Sequence, residues 1–158
     1  MVFLQNSILQ GKNADAYIKA YFEKHTAVKR FMDEQVRLCK EQGYVSTIMG
    51  RKRYINEISA SNYMVRQVGE RLAMNSPIQG SAADIIKLAM IRVYRQLKEQ
   101  GLKSRLILQV HDELIIDTCR DEQETVQKLL VENMEKAIEL KARLTVDLNQ
   151  GDSWYDLK

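Results

Sequence analysis

The chain has 158 residues, of which 45% are hydrophobic and 28% charged, so it is long enough to bury a core and is typical of a globular protein. Its apolar runs fall far short of the roughly 20 residues that cross a bilayer, and its start lacks a signal peptide, which excludes a membrane-spanning class and predicts a cytoplasmic protein. The net charge of +3 is too small to diagnose nucleic-acid binding.

The cysteines exclude two further classes. Cys39 and Cys119 stand alone, with no CxxC spacing and only two histidines in the chain. A zinc site or a disulfide framework is therefore not expected. We expect two buried, reduced thiols.

Periodic apolar residues predict a first helix over Ala14 to Gln42, ended by Gly43. Residues 44–55 are rich in β-prone side chains around Gly50, which predicts a hairpin. The basic cluster Arg51, Lys52 and Arg53 would then lie on or just after its turn and face outward. Taken alone, such a cluster is more often a solvated loop than a binding site.

Two helices are predicted next, separated near Pro77. The first runs from about Ser61 to Met74 and would bury Met64, Val65, Val68 and Leu72. The second would begin with Ser76 as N-cap, Pro77 at the first helical position and Gln79 completing a capping box. Its apolar stripe runs from Ile78 to Leu97, and Gly101 is placed to end it.

The last third of the chain predicts a hairpin at 104–118, a helix at about 121–140 and a strand through Leu144, Val146 and Leu148. No repeat or flexible linker interrupts the chain. The order of elements predicts an α+β fold, with long helices packed on a small antiparallel sheet, and one domain over residues 1–158.

Asp112 and Glu113 lie at the turn of the predicted hairpin, between two β-prone apolar runs and directly after His111, and would be presented at the rim of a buried sheet. Carboxylates on rigid backbone beside an apolar layer suit a hard divalent cation such as Mg²⁺. The alternative is that these residues are only the polar tip of a hairpin, since polar turns are the default. The local pattern leaves both interpretations open.

Four segments together resemble the bacterial DNA polymerase I family, the family A polymerases. They are QVHDELI (109–115), GYVSTIMGRKRYI (43–55), ERLAMNSPIQGSAADIIKLAM (70–90) and GDSWYDLK (151–158), in the order and spacing of that family. Residues 14–158 resemble its C-terminal portion almost without gaps, and the chain's ending is similar to the family's carboxyl terminus. The resemblance implies a polymerase palm with part of the fingers, acting in DNA replication and repair.

The resemblance also implies roles for individual residues. Asp112 would be one of the two metal-binding aspartates of a two-metal, Mg²⁺-dependent nucleotidyl-transfer site, and Glu113 would be a neighbouring acid that helps to shape the metal and primer-terminus environment. The implied DNA contacts are Arg51, Lys52, Arg53, Arg71, Asn75, Gln79, Gln109 and His111. For Gln79 a local capping role competes with a minor-groove contact, and for His111 hydrogen bonding within the turn competes with a contact to the primer backbone.

The chain also departs from the family. A DYSQIELR-like aspartate motif and the fingers helix with its R-x₃-K-x₆-YG pattern do not occur in it, and residues 1–13 do not follow the family pattern. The implied partners are therefore primer–template DNA, a dNTP whose site is incomplete, and the missing N-terminal part. Met1 is interpreted as a truncation, an internal start or an artificial boundary. We expect the chain to be inactive alone, and the alternative function is a non-catalytic DNA-binding or structural remnant of a polymerase.

Overall fold

The computed structural model describes the backbone of residues 11–157 and the side chains of residues 14–157. Residues 1–10, which make up most of the segment predicted to depart from the family, lie outside the described residues. The chain divides into two compact units, one formed by residues 11–46 and 50–77 and the other by residues 47–49 and 78–157. Both contain helices and a two-stranded antiparallel sheet, which confirms the predicted α+β class.

The first unit begins with two helices, α1 (Gly11–Lys24) and α2 (Thr26–Gln42), where one helix was predicted. His25 separates them, with φ −114° and ψ 57°. The helix breaks here because His25 and the β-branched Thr26 both have modest helix propensity. Gly43 ends α2 as expected: its φ is 78° and its N–H donates to the Cys39 carbonyl.

The predicted hairpin follows as β1 (Tyr44–Ser46) and β2 (Lys52–Tyr54), paired with Tyr44 opposite Tyr54. A short 3₁₀ helix, Asn56–Ser59, leads toward helix α3. The core of the first unit contains residues from α2, the hairpin region, the 3₁₀ helix and α3. Its buried members are Cys39, Val45, Ile55, Ile58 and Ala73.

Helix α3 spans Tyr63–Glu99 without interruption, so the two helices predicted on either side of Pro77 are one helix of 37 residues. Ser76 and Pro77 lie inside it, which makes the predicted N-cap and capping box wrong. A proline inside a helix removes one hydrogen bond and crowds the carbonyl four residues earlier, and packing along a long helix can outweigh this local cost of about 3 kcal/mol.

The predicted buried face of the N-terminal part of α3 is also largely wrong. Met64, Val65 and Val68 are exposed, while Gly69 is buried and Leu72 packs on the core. A Cβ atom built on Gly69 would lie 2.6 Å from the backbone nitrogen of Ile58. The helix therefore meets the 3₁₀ helix backbone to backbone, and its small residues face the core.

The second unit contains the C-terminal part of α3, the strands β3 (Arg105–Val110) and β4 (Glu113–Asp117), and helix α4 (Gln123–Glu135). Gly101, with φ 66°, ends α3 as predicted. Much of the predicted stripe of α3 packs in this core, but Ile78 is exposed. The buried core residues are Ala89, Val93, Leu97, Leu114, Val126, Leu129, Leu130 and Ala137.

The C-terminal segment differs from its prediction in two places. Helix α4 ends at Glu135, not near residue 140, and the alternating segment with Leu144, Val146 and Leu148 is not a strand. A strand needs a neighbour for its backbone hydrogen bonds, and β3 and β4 pair only with each other within residues 11–157. A 3₁₀ helix, Trp154–Leu157, follows.

The prediction of buried, free thiols is confirmed for Cys39 and confirmed only in part for Cys119. Both cysteines are free; Cys39 is fully buried and Cys119 is half-buried. Burial raises the pKa of the Cys39 thiol. No helix within residues 11–157 is long and apolar enough to span a membrane.

Candidate functional site

The acidic turn of the second unit lies where the sequence predicted it. Val110 pairs with Glu113, so His111 and Asp112 alone connect β3 to β4. The side chains of His111, Asp112 and Glu113 are all exposed. A two-residue connection of this kind holds its side chains on rigid flanking strands.

The sheet behind this turn is less buried than predicted. Leu114 in β4 is in the core, but Ile107 is 60% exposed and Leu108 is 39% exposed. The pairing slips between Leu106 and Leu108, where Ile107 is an extra residue in β3. Because a two-stranded sheet can bury only the face that packs on helices, the expectation of a buried sheet is wrong for β3.

A cavity of about 690 Å³ adjoins the turn within the second unit. Its walls come from α3, β4, α4 and the segment 144–149, and they are mainly apolar side chains such as Ile85 and Leu130. Three carboxylates also line it: Asp112, Glu113 and Asp147. Asp147 was not predicted as a site residue; its one signal in the sequence is its place between the apolar residues Val146 and Leu148.

The chemistry of this turn fits part of a metal site. Exposed carboxylates on rigid backbone are oxygen ligands that a hard divalent cation accepts. Within residues 11–157, however, no group of three or more His, Cys, Asp or Glu side chains is arranged to hold a metal ion. The turn can therefore supply one or two ligands, and the remaining ligands would have to come from elsewhere.

The base of the β3–β4 hairpin is fastened by Glu122. Its carboxylate accepts hydrogen bonds from the backbone N–H groups of Lys103 and Ser104, both 2.9 Å long, and from the Ser104 hydroxyl at 2.6 Å. The Ser104 hydroxyl in turn accepts one from the Cys119 N–H at 3.0 Å. Glu122 thus joins the residues that enter β3 to those that leave β4, and it helps to fix the hairpin.

These bonds make the hairpin sensitive to acid. Hydrogen bonds from the Lys103 N–H and from Ser104 hold the pKa of Glu122 below its usual range. The stability that the carboxylate contributes is present above the unfolded pKa, about 4.3, and is lost as pH falls through the lower folded pKa. We expect Glu122→Gln to lower the melting temperature at pH 7.

The pH series supplies the internal control for that substitution. The difference in melting temperature between the chain and its Glu122→Gln variant should shrink as pH falls from about 4.3 through the lower folded pKa, because the wild-type carboxylate becomes protonated over that range. Thermal melts from pH 7 to pH 3 measure it. A difference that stays constant across this range would show that the charge of Glu122 does not contribute.

The predicted DNA contacts of the first unit are all exposed. Arg51 precedes β2, and Lys52 and Arg53 lie in it. Lys52 Nζ lies 4.4 Å from the centre of the Tyr44 ring. The cluster is therefore displayed just after the hairpin connection, as predicted, and it combines cationic groups with an aromatic ring.

Helix α3 carries the other predicted contacts at four-residue intervals. Arg71 and Asn75 are exposed in the first unit, and Gln79 is exposed further along the same helix in the second unit. Since Gln79 lies in the helix interior, the capping role does not compete for its side chain. Its exposed amide is available for a ligand.

The chain is similar to known proteins over nearly its whole length. The family model described as "DNA polymerase family A" matches residues 3–156. The chain is 50% identical over 154 residues to the DNA polymerase I of Bacillus subtilis (strain 168), a match covering 98% of this chain and 18% of the relative. It is 48% identical to the DNA polymerase I of Bacillus caldotenax, again over 98% of this chain and 18% of the relative.

A solved structure is also similar: the POL domain of Pol1 from M. smegmatis in complex with DNA primer-template and dNTP. The TM-score is 0.91 at 41% sequence identity, and the match covers 94% of this chain and 26% of that one. The chain thus spans about 18% of the length of these curated relatives.

Proposed function

Because this chain belongs to DNA polymerase family A, we propose that it is the C-terminal palm and partial fingers portion, folding as one domain, of a DNA-directed DNA polymerase. The observation that carries the proposal is the β3–β4 hairpin, whose two-residue connection presents Asp112 beside Glu113. Bacterial DNA lies in the cytoplasm, which is the compartment we propose. The missing N-terminal part of the polymerase is the partner that would complete the site.

Asp112 would hold Mg²⁺, with Glu113 in a supporting place. Asp112 lies in the two-residue connection and Glu113 begins β4, so the two side chains leave the turn in different directions and do not direct their oxygens at one ion equally. When bound, Mg²⁺ supplies activation of the primer hydroxyl and charge neutralisation at the triphosphate. The contribution of this chain is to hold the backbone of Asp112 between two paired strands, beside a mainly apolar cavity.

The exposed basic and amide side chains would hold primer–template DNA. Arg51, Lys52 and Arg53 suit phosphate oxygens, which position a duplex without reading its sequence. Arg71, Asn75, Gln79, Gln109 and His111 are proposed as the remaining contacts. Gln79 suits the minor groove, where acceptors vary little between base pairs, so an amide can check geometry without specifying a base.

The isolated chain is expected not to extend a primer. One hairpin cannot complete a two-metal site, and the dNTP site is incomplete without a helix of the R-x₃-K-x₆-YG type. Purified chain is incubated with primed template, dNTPs and Mg²⁺, and products are resolved by length. Extension that persists through purification and disappears in Asp112→Ala would contradict this part of the proposal.

A chimeric polymerase supplies the missing parts. In it, this chain replaces the matching C-terminal portion of the Bacillus subtilis DNA polymerase I, which is 50% identical over the replaced region. Such identity makes the new contacts similar to those of the parent. The chimera allows residues of this chain to be tested in a complete site.

DNA binding by the chain is expected to be electrostatic and indifferent to sequence. Affinity falls as salt rises, and each phosphate contact that is removed should make the slope of log affinity against log salt shallower by about 0.9. Lys52→Ala with Arg53→Ala should therefore make it shallower by about 1.8. Titration of duplex DNA over a salt series measures the slope.

The matched control removes the same charge from another surface. Lys136 and Arg143 are exposed and pair with Glu132 and Glu135 in the second unit. Lys136→Ala with Arg143→Ala should leave the slope nearly unchanged. Equal slopes for the two double variants would remove the β2 cluster from the binding surface.

A further inference from the structure

The turn that carries Asp112 has an unusual backbone. His111 has φ 53°, and within residues 11–157 it is the one non-glycine residue with positive φ. A two-residue hairpin connection needs positive φ at its first central residue, where glycine or asparagine is common. Histidine tolerates this conformation better than most residues but still adopts it at a cost, so another interaction must favour it.

Gln109 supplies such an interaction. Its side-chain Nε2 donates a hydrogen bond to the His111 carbonyl oxygen at 2.6 Å. Gln109 itself is fixed in the ladder, where it pairs with Leu114. The hydrogen bond therefore runs from a residue held by the sheet to the peptide group that joins His111 to Asp112.

That peptide group determines where the Asp112 side chain points. Asp112 is exposed, so packing does not fix its direction. Rotation of the peptide between His111 and Asp112 would turn the Asp112 Cα–Cβ bond relative to β3 and β4. A bond that holds the carbonyl of this peptide restricts the rotation.

We propose that Gln109 is a positioning residue: its amide holds His111 in the left-handed conformation and thereby orients the Asp112 carboxylate. The catalytic part of this inference rests on the proposed function, in which Asp112 binds the metal ion. It goes beyond that function by assigning Gln109 a role in the free protein that a contact to DNA does not require.

Gln109→Met in the 158-residue chain is the direct test, since methionine keeps the length of the side chain and removes the donor. Loss of one hydrogen bond should speed amide exchange at Val110 and Glu113 by roughly two- to tenfold. Residual dipolar couplings should show a changed direction of the Asp112 N–H bond. Gln127→Met removes the amide of a half-buried residue of α4, which donates to Gln150 and not to the turn, and should change neither quantity.

The His111→Gly background separates a positioning role from general stabilisation. Glycine adopts positive φ without a side-chain clash, so the turn no longer depends on Gln109. In that background Gln109→Met should change the amide exchange rates of Val110 and Glu113 by less than about twofold. A smaller effect than in the unsubstituted chain is the coupling expected of two residues that act together. An equal effect in both backgrounds, or no effect in either, would overturn the proposal.

The chimeric polymerase provides the second readout. There Gln109→Met should lower kcat by a clearly larger factor than it weakens the Kd for primer–template. A weaker Kd with unchanged kcat would show that Gln109 acts only as a DNA contact and would overturn the positioning role. If the chimera without this substitution failed to extend primers, the proposed function would fail, while the exchange experiment would still decide the role of Gln109 in the turn.

Discussion

Asp112→Asn in the chimeric polymerase is expected to lower kcat by about 10³-fold or more, which corresponds to about 4 kcal/mol in the activation barrier. Asparagine keeps the size of the side chain and removes the charge that would offset a divalent cation. The affinity for primer–template should stay unchanged or rise slightly, because a negative charge near phosphates is lost. Single-turnover incorporation and DNA titration measure the two quantities.

Glu113→Gln is the matched control for that substitution. It removes the same charge from the adjacent residue of the same hairpin, and it should lower kcat clearly less. The comparison tests the assignment of roles within the turn. Equal losses from the two substitutions, or an Asp112→Asn variant whose main defect is in DNA binding, would show that the assignment is wrong.

Gly69→Ala is expected to destabilise the first unit by about 3 kcal/mol. The added Cβ would lie 2.6 Å from the Ile58 nitrogen and 2.9 Å from its Cα, and both are backbone atoms that cannot rotate away. Helix propensity alone predicts the opposite sign, a stabilisation of about 1 kcal/mol. Because the two arguments differ in sign, denaturant unfolding of the variant distinguishes them directly.

Val68→Ala provides the comparison for Gly69→Ala. Val68 is the preceding residue of α3 and is 40% exposed, so its truncation should change the free energy of unfolding by no more than about 0.5 kcal/mol. A Gly69→Ala variant as stable as Val68→Ala would contradict the close approach of α3 to the 3₁₀ helix.

Local signals predicted the elements whose ends depend on a few neighbouring residues. Gly43 and Gly101 both have positive φ, as helix-ending glycines should, and the hairpins at 44–55 and 104–118 form where β-prone runs flank a polar turn. The positions of Asp112 and the basic cluster follow from these hairpins. The part of the site that depends on local chain geometry was therefore predictable.

Elements that depend on distant packing were not predictable in the same way. Pro77 normally marks a helix start, but α3 continues through it. Nothing local shows that Gly69 is buried against Ile58, because the partner is eleven residues away and belongs to another element. The alternation at Leu144, Val146 and Leu148 predicts a strand, yet a strand also requires a neighbour that local sequence cannot supply.

The hydrogen bond between Gln109 and His111 was likewise not predictable from local sequence. The motif QVHDELI placed both residues near DNA by resemblance, whereas the positive φ of His111 depends on the two-residue connection. The register that makes the connection so short includes an extra residue at Ile107. A single slip in that register would change the turn and the direction of Asp112.

We propose that this chain forms the hairpin half of a family A polymerase site, and single-turnover dNTP incorporation by the chimeric polymerase tests this most directly. We predict incorporation within about tenfold of the Bacillus subtilis parent, since the replaced portion would supply equivalent groups in equivalent places. A chimera that folds and binds primer–template as tightly as the parent, yet incorporates no nucleotide, would contradict the claim.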